Sequence, residues 1–382
     1  MSPAAADDRQ GTDAAGRAPT VVAKIGTSSV TDDDGHIARP AIAKLCREVA
    51  AARATGQRVV VVSSGAIGAG LPALGLGGAQ RPRDPVTLQA VAAVGQHRLL
   101  GVYADELAGH GLVAGQVLLA PLDFMVRSQY LHARGTLERL LDLGVVPVVN
   151  ENDAIADDEI RFGDNDRLAA LVAHLVGAST LVLLTDTPGL LTADPRLDAS
   201  ASLIEEIVEV DAALEAVAGG SGTAVGSGGM ASKLAAAKLA AWTGVRTVIA
   251  AADRPDVLAD AIGGTPGVGT VVAPHDRRLP ARKLWIAFAV GSTGSLVVDD
   301  GARAALLGGG ASLLAAGVRE VRGSFAVEGA VELVGTDGVV FAKGLTRVDH
   351  EAARALAGRR RHELPDGEPP WLVHRDDLVV LP

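Results

Sequence analysis

The chain has 382 residues, 48% hydrophobic and 21% charged, a balance that excludes a disordered tail or a coiled-coil rod and leaves length for two or three domains. Its 35 basic and 45 acidic residues give a formal charge of −10 at pH 7, which argues against a protein whose main task is to coat a polyanion. A single cysteine, Cys46, cannot close an internal disulfide, and nine histidines without paired metal-ligand spacing give no support to a zinc site.

Residues 1–18 are rich in Ala, Asp and Gly and lack the continuous apolar core of an export signal, so a flexible tail and a cytoplasmic location are expected. Short β-branched runs follow at Thr20–Ile25, Arg58–Val62, Leu112–Leu119, Val145–Val149, Thr180–Leu184 and Arg246–Ala250. They alternate with segments apolar at helical spacing: Pro40–Ala54, Val86–Ala108, Ser128–Leu143, Asn165–Val176 and Met230–Trp242. This alternation predicts an α/β fold, a mostly parallel sheet covered by helices, with ligands gathered at the carboxyl ends of the strands. The longest uncharged run, Leu168–Thr185, has membrane-like length, but His174, Gly177, Ser179 and Thr180 interrupt it. It reads as helix, turn and strand, and no membrane partner is expected.

After Ala273 the texture changes. Two prolines and a cluster of Arg and Lys in PHDRRLPARK predict a linker over 274–284 between a catalytic domain at 19–273 and a small β-rich barrel at 285–365. Gly-separated short strands such as SLVVDDG and GAVELVGTDGVVFAKGL support the barrel, and 366–382 is expected as a tail.

Four segments at predicted strand ends carry chemistry. In Lys24-Ile25-Gly26-Thr27-Ser28-Ser29 a lysine leaves the first strand and a glycine lets backbone amides approach a ligand, as in a phosphate cradle; the alternative is a strand end with a snorkelling lysine. It does not have Walker P-loop spacing. The run Ser63–Gly70, SSGAIGAG, follows a strand of pure valine and offers N–H groups to an anion, or is simply a tight turn. The loop Asn150–Asp166 holds seven carboxylates and one basic residue, Arg161. A carboxylate among amides, with Asp153 and Asn165 near the loop's two ends, can hold a substrate ammonium group; a solvated acidic loop is the plainer alternative. Finally, Leu184–Arg196 is joined by Gly219–Gly229, where six of eleven residues are glycine, followed by Met230-Ala231-Ser232-Lys233 at a helix start. There amides, helix dipole and ammonium converge on phosphate.

The order KIGTSS, SSGAIGAG, NENDAI, FGDND, LLTDTPGLLTADPR and SGGMASK, running on to HRDD at His374–Asp377, resembles the glutamate 5-kinase family of the amino acid kinase superfamily. The resemblance implies an αβα sandwich with a C-terminal barrel similar to the PUA domain. It also implies ATP-dependent phosphorylation of the γ-carboxylate of L-glutamate, the first step of proline synthesis, with Mg²⁺ accompanying ATP. By the same resemblance Lys24 and Lys233 contact the transferring phosphoryl group, and Asp166, with Asp164, orients them. Ser64, Gly65, Asn150, Asp153, Asp164 and Asn165 then hold glutamate. Lys24, Thr185, Asp186, Ser227, Gly228, Gly229, Met230, Ala231, Ser232 and Lys233 bind ATP. Proline as a feedback inhibitor, a homo-oligomer and a downstream glutamyl phosphate reductase are implied in the same way. Two rivals stand beside this expectation. One is a kinase of the same fold acting on aspartate or N-acetylglutamate. The other is an RNA-binding regulator acting through the C-terminal domain, where Arg359-Arg360-Arg361-His362 is a phosphate patch or, more ordinarily, a solvated basic cluster.

Overall fold

The computed structural model describes residues 18–32, 35–76, 81–155, 165–193, 198, 200–219, 229–275, 281–284, 286–287, 291–364 and 370–381. The chain divides into two compact units, Met1–Arg278 and Leu279–Pro382. Among the described residues no helix is long and apolar enough to cross a membrane.

The first unit begins with β1 (Thr20–Ile25), α1 (Thr27–Val30), α2 (Arg39–Ala54), β2 (Arg58–Ser63), α3 (Ala66–Gly70) and α4 (Pro85–Ala108). It continues through β3 (Ala114–Leu119), α5 (Leu122–Met125), α6 (Arg127–Asp142), β4 (Val146–Glu151), α7 (Asn165–Leu175) and β5 (Thr180–Thr185). It closes with β6 (Glu206–Ile207), α8 (Ala212–Gly219), α9 (Met230–Trp242), β7 (Arg246–Ala251), α10 (Val257–Gly263) and β8 (Thr270–Val272). Every residue of β1, β4 and β5 is buried, as expected of parallel strands covered on both faces.

The eight strands lie in the order β3-β4-β2-β1-β5-β7-β8-β6, all neighbours parallel except the β7–β8 pair. The chain leaves β1 toward β2 on one side, and leaves β5 toward β7 on the other. That reversal opens a crevice at the carboxyl ends of β1 and β5, where ligands of such sheets bind. Side-chain alternation along β1 assigns its faces. Val21, Ala23 and Ile25 join one core with Ile42 and Val49 of α2, Leu99 and Tyr103 of α4, and Val257 and Leu258 of α10. Val22 and Lys24 point to the opposite face, where α7 packs on β1 and on α9.

Helix α4 starts at an Asp84 cap that accepts a hydrogen bond from the Thr87 N–H at 2.9 Å, with Pro85 at its first position. It crosses α3 at very close range. A Cβ built on Gly95 would lie 1.8 Å from the Ala66 carbonyl oxygen, and one on Gly70 would lie 2.1 Å from that of Val91. Glycine is required on both sides of this crossing, and the approach seats α4 directly over the turn after β2.

The second unit contains α11 (Ala281–Leu284), β9 (Gly294–Val298), α12 (Asp300–Leu307), β10 (Leu313–Leu314), β11 (Val318–Gly323), β12 (Ala330–Val334), β13 (Val340–Thr346), α13 (His350–Leu356) and β14 (Trp371–Val380). Its six strands form a curled sheet in the order β10-β14-β13-β12-β9-β11 around Leu296, Leu306, Val331, Leu333, Leu372 and Leu378. The stretch 366–382, expected as a tail, includes β14, which pairs with both β10 and β13. Leu372, Val373 and Leu378 of this strand are buried in the second core. Part of the expected linker, 281–284, is helical, 276–280 lies outside the described residues, and so does nearly all of the expected N-terminal tail.

The α3–α4 crossing generates a paired prediction. Gly95→Ala is expected to lower unfolding free energy by about 1–3 kcal/mol or more, because the methyl has only backbone to displace. Gly101→Ala, where nothing lies within 4 Å of the added Cβ, is expected to raise it by about 0.4–1 kcal/mol through the unfolded state. Denaturant midpoints of the two variants check the sign and size of each effect.

Candidate active site

Three side chains from three elements converge at the crevice. Lys24, next to last in β1, forms an ion pair with one oxygen of Asp166, in the first turn of α7. Lys233, in the first turn of α9, reaches the other oxygen at 3.2 Å, and the Ser232 hydroxyl donates to that same oxygen at 3.0 Å. Asp166 is fully buried, and Lys24 and Lys233 are only 2% and 5% exposed. Burial pushes the Asp166 carboxyl up, but the ammonium groups of Lys24 and Lys233, with the hydrogen bonds from Lys24 and Ser232, outweigh it and hold the carboxyl below its ordinary range. The first turn of α7 adds partial positive charge from its N–H groups.

Beside this charged trio lies a chain of amides. The Asn165 side-chain nitrogen donates to the Ser63 carbonyl at 2.8 Å and to the Asn150 side-chain oxygen at 2.5 Å. The same Asn150 oxygen accepts from the Glu151 N–H at 2.9 Å, and the Asn150 nitrogen donates to the Gln96 side-chain oxygen at 2.6 Å. Sheet register explains the meeting: Ile25 is paired with Ser63, and Val62 with Val149, so the turn after β2 and the end of β4 lie side by side. Gly65 holds φ +103°, and a Cβ there would meet Val30 at 2.8 Å, so the turn is open only to glycine.

A small cleft opens next to these amides, lined among others by Ala66, Gln96, Glu151, Asn152 and Asp153. Asp153 therefore faces the same end of the sheet as Asn150. At the end of β5 the Thr185 hydroxyl donates to the Asp186 carboxylate at 3.0 Å, and Thr185 is paired in register with Ala251 of β7. Ser64 continues from β2 with its N–H bonded to the Ile25 carbonyl at 3.2 Å. Gly229 caps α9 in extended conformation, leading into Met230, Ala231, Ser232 and Lys233.

Of the residues singled out from sequence, Lys24, Asp166, Ser232 and Lys233 form one cluster, and Asn150 and Asn165 form another against Ser63. Asp164, Ser227 and Gly228 lie outside the described residues. Sequence reasoning missed two groups, both on α4. Gln96 orients Asn150, and the buried Tyr103 hydroxyl shares a 3.0 Å hydrogen bond with Ser63, whose hydroxyl also donates to the Ser64 carbonyl. Gln96, Leu99 and Tyr103 are buried at helical spacing on α4. A glutamine on an otherwise apolar stripe was the available signal.

The model of the amino acid kinase family matches residues 19–251, and that of the PUA domain matches 294–366. Three curated relatives, each named glutamate 5-kinase, align along nearly the full chain. That of Nocardia farcinica is 48% identical over 95% of this chain and 97% of its own length. Those of Burkholderia multivorans and Pelobacter propionicus are 44% and 43% identical, each over 94% of this chain and 97% of their own. With identity at this level across both units, the chain belongs to the glutamate 5-kinase family of the amino acid kinases.

Proposed function

We propose that this chain transfers the γ-phosphoryl group of ATP to the γ-carboxylate of L-glutamate, giving L-glutamyl 5-phosphate and ADP. The observation that carries the reading is the buried Lys24–Asp166–Lys233 cluster at the crevice, beside an amide-rich cleft containing Asp153. A carboxylate acceptor is already ionised near neutral pH, so the step requires alignment and charge stabilisation rather than a general base. One oxygen of the acceptor forms a bond to the γ-phosphorus as the bond from that phosphorus to the bridging oxygen of ADP breaks.

The two ammonium groups meet the negative charge that spreads over the phosphoryl oxygens, Lys24 from the sheet and Lys233 from a helix start. Asp166 keeps both pointed at one place. In the acceptor cleft Asp153 faces the free α-ammonium group of glutamate, an interaction that an acetylated amine could not reward. Ser64, Gly65, Asn150 and Asn165 supply the remaining polar contacts to the acceptor. Thr185 and Asp186, with the segment reaching Lys233, border the nucleotide. Among the described residues no three His, Cys, Asp or Glu side chains group as a metal cage, and Mg²⁺ that keeps phosphate oxygens and waters as ligands needs none. Bound with ATP, it would neutralise charge between the β- and γ-phosphates.

The product is a labile acyl phosphate. Its consumption by a glutamyl phosphate reductase, inhibition by proline, a homo-oligomer and a cytoplasmic location go with this reading. An RNA-regulator reading is not favoured: Arg359, Arg360, Arg361 and His362 all lie exposed, as a solvated basic surface does, and the relatives aligned over both units carry an enzyme's name.

Three outcomes are expected. With Mg-ATP and hydroxylamine, the protein forms hydroxamate from L-glutamate and not from L-aspartate or N-acetyl-L-glutamate; formation from one of the latter instead would move the substrate assignment. Lys24→Ala and Lys233→Ala each lower kcat by about 10²–10³-fold, as removal of one charge-stabilising group does elsewhere, and full activity in a folded variant removes that lysine from the mechanism. The third outcome concerns pH. Because the folded Asp166 carboxyl titrates below its unfolded value of about 3.9, its contribution to stability is complete above that value and is lost as pH falls through the folded one. The stability gap between wild type and Asp166→Asn is thus constant from pH 7 to 5 and shrinks below about pH 4, measured by urea unfolding across that range.

A further inference from the structure

The polarity of the amide chain is not free to reverse. At one end Asn165 donates to a backbone carbonyl, that of Ser63, which can only accept; in the middle Asn150 accepts from a backbone N–H, that of Glu151, which can only donate. With its oxygen thus committed to Glu151 and to Asn165 at 2.5 Å, the Asn150 side chain has only its nitrogen left to offer, and it offers it to Gln96. All three side chains are buried. An apolar residue at 96 would leave the Asn150 nitrogen without its acceptor, and a donor there would turn the Asn150 amide over against the Glu151 N–H and Asn165.

We infer that Gln96 is a positioning residue of the acceptor site, fixing through Asn150 the orientation of Asn165 and hence the geometry that receives the acceptor carboxylate. Gln96 itself borders the cleft beside Glu151 and Asp153. Its place there is rigid, because the adjoining Gly95 rests on the Ala66 carbonyl and fixes the height of α4 over the turn after β2. Asn165 precedes Asp166 on α7, yet among the described residues the chain of hydrogen bonds from Gln96 runs to Ser63 and not into the lysine cluster. The effect of Gln96 therefore falls on the acceptor and not on the nucleotide.

This inference rests on the glutamate kinase reading, and one experiment separates the two. Hydroxamate formation by the wild-type protein tests the reading. Steady-state kinetics of Gln96→Met, which keeps length and volume but removes the acceptor oxygen, test the inference. The KM for glutamate is expected to rise about 10–100-fold, the cost of one unsatisfied buried donor, while the KM for ATP stays within about twofold. Gln96→Asn, which keeps the amide but withdraws it by one methylene, supplies a second variant with the same expected pattern should Gln96→Met fold poorly. The double variant Gln96→Met/Asn165→Ala is expected to be no worse for glutamate than Asn165→Ala alone, since both act on one chain. Equal rises in both KM values, an unchanged KM for glutamate, or independent multiplication of the two effects would overturn the assignment while leaving the wild-type reaction standing.

Discussion

A single buried carboxylate organises the crevice. Asp166 lies between two ammonium groups that would otherwise repel across a low-dielectric interior, and it pairs with both. The trio carries a formal charge of +1, from two lysines and one aspartate. That leaves attraction for a polyphosphate without the cost of two bare cations at the end of a buried sheet. Because Lys24 comes from β1, Asp166 from α7 and Lys233 from α9, the same contact ties the sheet to two of its covering helices.

The amide chain uses a different physical logic. No charge is needed where the partners are backbone groups of fixed polarity, and each side-chain amide can be read from its neighbour. Asn165 and Asp166 are adjacent on α7 but belong to separate networks, one neutral and one ionic. In the proposed reaction that division corresponds to acceptor and donor: a carboxylate positioned by hydrogen bonds, and a phosphoryl group met by charge.

Much of this was legible in the sequence, and the reasons differ by element. Mainly apolar runs marked β1 at its observed residues and β5 to within one residue of its end, because parallel strands buried on both faces leave no alternation to confuse. The start of α9 was equally plain, since a Gly-rich run followed by a patterned helix has few other meanings. Lys24 and Lys233 drew notice as cations at a strand end and a helix start, while Asp166 was singled out only through the resemblance, since a carboxylate in a helix's first turn is ordinary. Gln96 and Tyr103 drew none, because a polar tip on a buried helical stripe becomes informative only when the strand end opposite it is known. The short strands β6 and β8, two and three residues long, carry too little pattern to announce the antiparallel turn at that edge. In the second unit the expected tail at 366–382 holds a strand whose two short apolar runs are separated by His374-Arg375-Asp376-Asp377, so neither run alone announces it. Asp377 is nevertheless 2% exposed, held by the half-exposed Arg282 at 2.8 Å and Arg347 at 2.7 Å, so one carboxylate of that polar run is buried under two guanidinium groups.

The position of β14 has a consequence for how the molecule is made. This strand, Trp371–Val380, lies inside the second sheet, bridging β10 to β13, although it follows the other five strands in chain order. Until it leaves the ribosome, β13 has an open edge, Leu313 lacks its partner strand, and the guanidinium groups of Arg282 and Arg347 have no Asp377 to bind. The first unit can collapse during translation, since all of its strands precede residue 273. The second cannot complete its sheet until Trp371–Val380 has been made. A chain cut off just before Trp371 would thus keep every strand of the crevice and present an unclosed, adhesive sheet edge.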